Sequence, residues 1–199
     1  MTTVQPGRSY PLFGAATPAN AITVSRIVLT PVLCSIVLAD DATMGVSWAA
    51  FVIGLAMAFT DAIDGRVARA TNGYSRSGAF LDPLADKIVI LGVGFSLVAV
   101  NRIALIPIAL IAVREVAISL LRIWYARRDI SIPASNLAKA KTTIQGIALL
   151  LAVLPVLQEQ QLVIDIVLWI AVAITLWTGY EYLRDGEGAA ARSKGYRLP

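Results

Sequence analysis

The chain has 199 residues, 57% of them hydrophobic and only 15% charged, with a mean hydropathy of +0.72. A soluble domain is about 25% charged, so the composition argues against a water-soluble globule and for a chain that lives in a bilayer. Histidine is absent and Cys34 is the single cysteine. The first fact removes imidazole as general base, metal ligand or phosphoryl carrier, and the second excludes an internal disulfide framework.

Residues 1–19 are polar and punctuated by proline and glycine, and read as an interfacial arm. A bilayer span needs roughly 20 mostly apolar residues. Six stretches meet that need: about 20–39, 44–64, 79–100, 103–126, 140–157 and 162–183. The first is too long for a signal-peptide core and lacks a basic leader or small-residue cleavage site, so it reads as a retained span. The expected fold is all-α and integral to the membrane, with six transmembrane helices around a cytoplasm-facing polar cavity. It would form one domain over 20–185, followed by a basic cytoplasmic tail over 186–199.

The basic residues set the orientation. Arg8, Arg66, Arg69, Arg76, Arg127, Arg128, Lys139, Lys141, Arg184, Arg192, Lys194 and Arg197 fall in the termini or the even-numbered connections. The opposite connections hold Asp40, Asp41, Glu159 and one base, Arg102. The positive-inside rule then places both termini in the cytoplasm of a multi-pass cell (inner) membrane protein. The net charge of +4 faces anionic headgroups and substrates. Trp177, Tyr180 and Tyr182 suit an aromatic belt at that boundary.

Four aspartates stand at the cytoplasmic ends of the second and third spans: Asp61 and Asp64 at i, i+3, Asp82 and Asp86 at i, i+4. Each pair shares a helix face. Four carboxylates gathered at low dielectric repel one another unless cations neutralise them. Oxygen-only ligation without histidine or thiolate favours Mg²⁺ or Mn²⁺, with Ca²⁺ as a competitor, and two such ions would make a clamp for phosphoryl transfer. A cation pathway is the rival reading of the aspartates alone. Gly65, Ala68 and Gly78 lie among them, where a ligand needs close approach.

The segment DAIDGRVARATNGYSRSGAFLDPLAD, Asp61 to Asp86, resembles the signature of the CDP-alcohol phosphotransferase family, D-x2-D-G-x2-A-R-x8-G-x3-D-x3-D, at every specified residue and spacing. The resemblance implies that Asp61, Asp64 and Asp82 ligate two divalent cations, and that Asp86 ligates one and acts as general base. It implies further that Gly65 and Ala68 leave room for the cytidine and that Arg69 and Ser75 contact the CDP moiety, with Gly78 beside them. PANAITVSR in the first span is similar to the family's P-N-x-x-T segment, placing Asn20 and Thr23 near the nucleotide. Asn20 doubles as a candidate helix N-cap.

The acceptor end is read from the fourth and fifth spans. Arg114 and Glu115 stand about eleven residues from the outer end of their span, roughly 16 Å deep at 1.5 Å per residue. They form either a structural ion pair or a basic group facing the cavity. Ser135, Lys139 and Lys141 at the start of the fifth helix would hold an acceptor phosphate. The two lysines are i, i+2 and cannot share one helix face, and Lys139 is the preferred member. REVAISLLR (114–122) and PASNLAKAKTTIQ (133–145) resemble the phosphatidylglycerophosphate-synthase branch of the family. The family resemblance implies a homodimer with CDP-diacylglycerol as donor, and the branch implies glycerol 3-phosphate, a small phosphorylated alcohol, as acceptor. A CDP-alcohol cardiolipin synthase and a phosphatidylinositol phosphate synthase are the near alternatives, a small cation transporter the distant one. No nucleic-acid partner is expected.

Overall fold

A computed structural model of the chain describes residues 18–39, 41–70, 78–128 and 136–195, with side chains described over 23–39, 42–60, 83–128 and 140–186. These residues form six α-helices: α1 (Pro18–Ala39), α2 (Trp48–Ala70), α3 (Gly78–Ala99), α4 (Leu105–Ala126), α5 (Asn136–Val153) and α6 (Gln161–Gly195). Short 3-10 turns at Asp41–Thr43 and Pro155–Leu157 join α1 to α2 and α5 to α6. There is no strand among the described residues.

Each expected apolar stretch contains one helix, and the differences lie at the ends. The second helix begins at Trp48 rather than near 44 because Met44 and Gly45 adopt positive φ (55° and 75°). A Cβ on Gly45 would lie 2.7 Å from Val37 Cγ1, so the tight α1–α2 turn requires glycine. The fifth helix stops at Val153 instead of 157, since Leu154 precedes Pro155 and is extended (φ −77°, ψ 119°). The second helix continues past the expected boundary to Ala70, and the sixth to Gly195. Asn20 lies within the first turn of α1, which starts at Pro18, so it is not the N-cap.

α1 packs against both α2 and α3, α5 against α6, and α4 against α6. Leu33, Val37, Leu97, Ile108, Ile111, Ala152 and Leu168 fill the seams. The outside is apolar too: Val28, Phe59, Ile106, Val113, Leu120, Leu162 and Trp177 are each more than half exposed. Arg26, Glu115, Lys141, Gln145, Thr175 and Thr178 are buried. An apolar exterior around polar groups reverses the arrangement of a soluble protein. Gln161–Gly186 is long and apolar enough by itself to cross a membrane, with a mean hydropathy of 2.1; the apolar stretches Thr23–Ala39, Trp48–Thr60 and Ala140–Val153 are shorter.

Arg102, expected as the lone base of the outer connections, is buried to 1% exposure in the α3–α4 turn. Its Nε donates to Ala152 O (2.9 Å), Nη1 to Gln158 O (2.9 Å) and Gln161 Oε1 (3.2 Å), and Nη2 to Leu157 O (3.0 Å). Burial draws its pKa below the ordinary guanidinium value, opposed by Asp165 and Glu159. The residue clamps the α3–α4 turn to the α5–α6 connection. Hydrogen bonds to a charged group contribute about 1.5–3 kcal/mol each, so Arg102→Met should lose at least about 3 kcal/mol of stability in detergent while keeping its rate per folded molecule. An unchanged melting temperature would contradict the clamp.

Candidate active site

All six helices line one cavity of about 1080 Å³. Its polar wall lies where α3 begins, α4 ends and α5 begins; toward the other end the lining turns apolar with Leu33, Ala50, Leu150 and Val153. One hollow therefore offers a polar chamber continuous with an apolar one.

Asp86 sits on the polar wall, one-third exposed, and Arg26 Nη1 of α1 donates to its Oδ1 at 2.9 Å. The Arg26 side chain is 4% exposed. The guanidinium thus lies against the carboxylate that faces the cavity. Arg26 belongs to PANAITVSR but was not singled out in the sequence. Its signal was a lone base in an apolar run, three residues beyond Thr23, which is itself buried in α1.

The second polar group joins α4, α5 and α6. Arg114 Nη1 donates to Glu115 Oε1 (3.0 Å) and Nη2 to Thr178 Oγ1 (2.9 Å), while Lys141 Nζ donates to the same Glu115 Oε1. Lys87, beside Asp86 in the chain, donates to Ser119 Oγ, and Ser119 donates to Glu115 O. Both readings of Arg114 therefore hold together: it is paired with Glu115, and it lines the cavity. Lys141 is the lysine brought to this group, although Lys139 was preferred from sequence; the Lys139 side chain lies outside the described residues. Lys87, Ser119 and Thr178 were not anticipated. Tyr182, expected in an aromatic belt, instead lines the cavity beneath the Arg122 guanidinium (5.6 Å), whereas Trp177 and Tyr180 are exposed.

The remaining expected residues can be placed only by backbone. Asp61, Asp64, Gly65, Ala68 and Arg69 stand on the unbroken helix α2, Gly78 and Asp82 on α3, Asn20 on α1 and Lys139 on α5, with side chains outside the described residues. Ser75 and Ser135 lie outside the description altogether. The donor chemistry suits a hard divalent cation, being carboxylate oxygen without histidine, and Asp86 presents its carboxylate to the cavity.

A carboxylate and a cluster of basic side chains thus share one chamber with an apolar annex. The chain belongs to the CDP-alcohol phosphatidyltransferase family, which it matches over residues 16–177. It is similar to proteins named CDP-diacylglycerol–glycerol-3-phosphate 3-phosphatidyltransferase from three bacteria. The Rickettsia typhi protein is 34% identical over 169 residues, covering 83% of this chain and 94% of the relative. That of Bacillus subtilis is 34% identical over 176 residues (82% and 91%), and that of Salmonella choleraesuis 34% over 178 residues (84% and 93%).

Proposed function

We propose that this chain transfers the phosphatidyl group of CDP-diacylglycerol to the 1-hydroxyl of sn-glycerol 3-phosphate, giving phosphatidylglycerophosphate and CMP. The observation that carries this reading is that Asp86 and the Arg114–Glu115–Lys141 group line the same cavity. Arg114 and Lys141 both pair with one carboxylate, Glu115, and Lys87 donates to the neighbouring Ser119, so bases outnumber acids at that point of the lining. The surplus positive charge suits a dianionic phosphate monoester better than a neutral alcohol. The apolar annex accommodates the acyl chains of the donor, the apolar exterior supports six helices spanning the bilayer, and the basic residues of the termini and even-numbered connections support cytoplasmic termini.

Asp61, Asp64, Asp82 and Asp86 would hold two divalent cations, Mg²⁺ or Mn²⁺, which when bound neutralise charge on the pyrophosphate. Asn20, Thr23, Gly65, Ala68, Arg69, Ser75 and Gly78 serve the CDP moiety. Arg114 and Lys141, with Ser135 and Lys139, receive the acceptor phosphate and fix its glycerol. Asp86 accepts the proton of the 1-hydroxyl as that oxygen attacks the phosphorus bearing the diacylglycerol. A new P–O bond forms, the pyrophosphate P–O bond breaks, and the electron pair leaves with CMP. Timing the proton transfer with attack avoids a free alkoxide, which a carboxylate is too weak a base to generate in water. Incubation of the purified protein with EDTA should abolish glycerol 3-phosphate-dependent CMP release, and Mg²⁺ or Mn²⁺ should restore it. Undiminished release in chelator would overturn the role given to the aspartates.

A further inference from the structure

Arg114 is held from behind by α6. Its guanidinium donates through Nη1 to Glu115 on its own helix and through Nη2 to Thr178 Oγ1, so two nitrogens on one plane are fixed by partners on two helices. Thr178 is itself fixed, because its hydroxyl donates to Thr175 O at 3.0 Å. Thr175 in turn accepts from Gln145 Nε2 of α5 (2.7 Å) and donates to Ala171 O (2.6 Å).

The next residue is Gly179. A methyl group there would lie 3.1 Å from Arg114 Nε and 3.3 Å from its Cγ. The arginine stem thus runs against bare helix backbone, and its Nε is buried without a hydrogen-bond partner among the described residues. Glycine in a helix interior costs stability relative to alanine. Here its lack of a side chain lets a long basic residue lie flat against α6.

We infer that Thr178 and Gly179 are positioning residues for Arg114: together they form a seat on α6 that sets the guanidinium plane toward the acceptor's phosphate. Arginine owes its value in phosphate recognition to a rigid planar fork, and a fork is useful only when its rotation is fixed. Misplacing a binding group by about 1 Å can cost up to about a hundredfold in rate. The inference rests on the proposed acceptor role of Arg114.

Steady-state kinetics in detergent, with glycerol 3-phosphate and CDP-diacylglycerol varied in turn, test it alongside melting temperatures. Thr178→Val keeps the shape and removes the hydroxyl, and should raise KM for glycerol 3-phosphate about tenfold with KM for CDP-diacylglycerol within about twofold. Thr178→Ser should restore most of the loss, and Gly179→Ala, which leaves the hydroxyl in place, should reproduce the selective rise. In an Arg114→Ala background neither Thr178→Val nor Gly179→Ala should add to the defect, since the residue they seat is gone. If Arg114→Ala raises KM for glycerol 3-phosphate but Thr178→Val and Gly179→Ala do not, the seat is overturned and the acceptor site stands. Equal loss for both substrates, or full additivity with Arg114→Ala, also overturns the seat. If Arg114→Ala itself leaves glycerol 3-phosphate binding unchanged, the acceptor reading falls and the seat with it.

Discussion

Asp86→Asn is expected to lower the rate of phosphatidyl transfer by about a thousandfold or more while the bundle stays folded. The fold should survive because the substituted amide keeps an oxygen where Asp86 Oδ1 now accepts from Arg26 Nη1 at 2.9 Å. That hydrogen bond persists without the charge. The position is also one-third exposed, so no empty volume is created in the core. The rate should collapse because an amide cannot accept the hydroxyl proton and is a poorer ligand for a divalent cation. General-base catalysis alone contributes about 10²–10⁴-fold. Initial rates, donor binding and melting temperature, measured on one preparation, separate these effects. Retained donor binding and stability with lost turnover are expected; a variant keeping more than about a tenth of the parent rate would show that another group takes the proton.

The second large effect is expected at Lys141. Lys141→Met preserves length and removes the ammonium, and should raise KM for glycerol 3-phosphate about tenfold to a hundredfold, the equivalent of one charge-assisted contact of about 1.5–3 kcal/mol. CDP-diacylglycerol binding should change little. Glu115 keeps Arg114 as a partner at 3.0 Å, so the substitution does not strand a buried carboxylate. Kinetics with each substrate in turn check the result, and equal weakening of both at unchanged stability would remove Lys141 from the acceptor site.

The sequence carried the helices because the apolar runs are long and their breaks are chemical: Gly45 with positive φ and Pro155 after an extended Leu154. It carried Asp86 because carboxylate spacing along a helix is local. What it could not carry depends on helices meeting across long chain separations. Arg26 is one base in an apolar run until α1 packs on α3 and brings it to a carboxylate sixty residues away. The sequence favours Lys139, which sits with Ser135, Thr142 and Thr143, but the face that meets α4 is decided by the packing that sets Lys141 against Glu115. Arg102 counted as a loop charge in the topology argument, while its cage of carbonyls comes from the end of α5 and the connection after it, fifty or more residues later. Thr178 and Gly179 acquire a role only where Arg114 lies across them.

The central claim is the reaction itself, and product identity tests it most directly. Purified protein would be given CDP-diacylglycerol labelled in its diacylglycerol moiety, a divalent cation, and in separate reactions glycerol 3-phosphate, phosphatidylglycerol and inositol phosphate, with the lipid products resolved. The predicted result is labelled phosphatidylglycerophosphate, with stoichiometric CMP, from glycerol 3-phosphate alone. Labelled cardiolipin from phosphatidylglycerol, or phosphatidylinositol phosphate from inositol phosphate, with glycerol 3-phosphate inert, would contradict it.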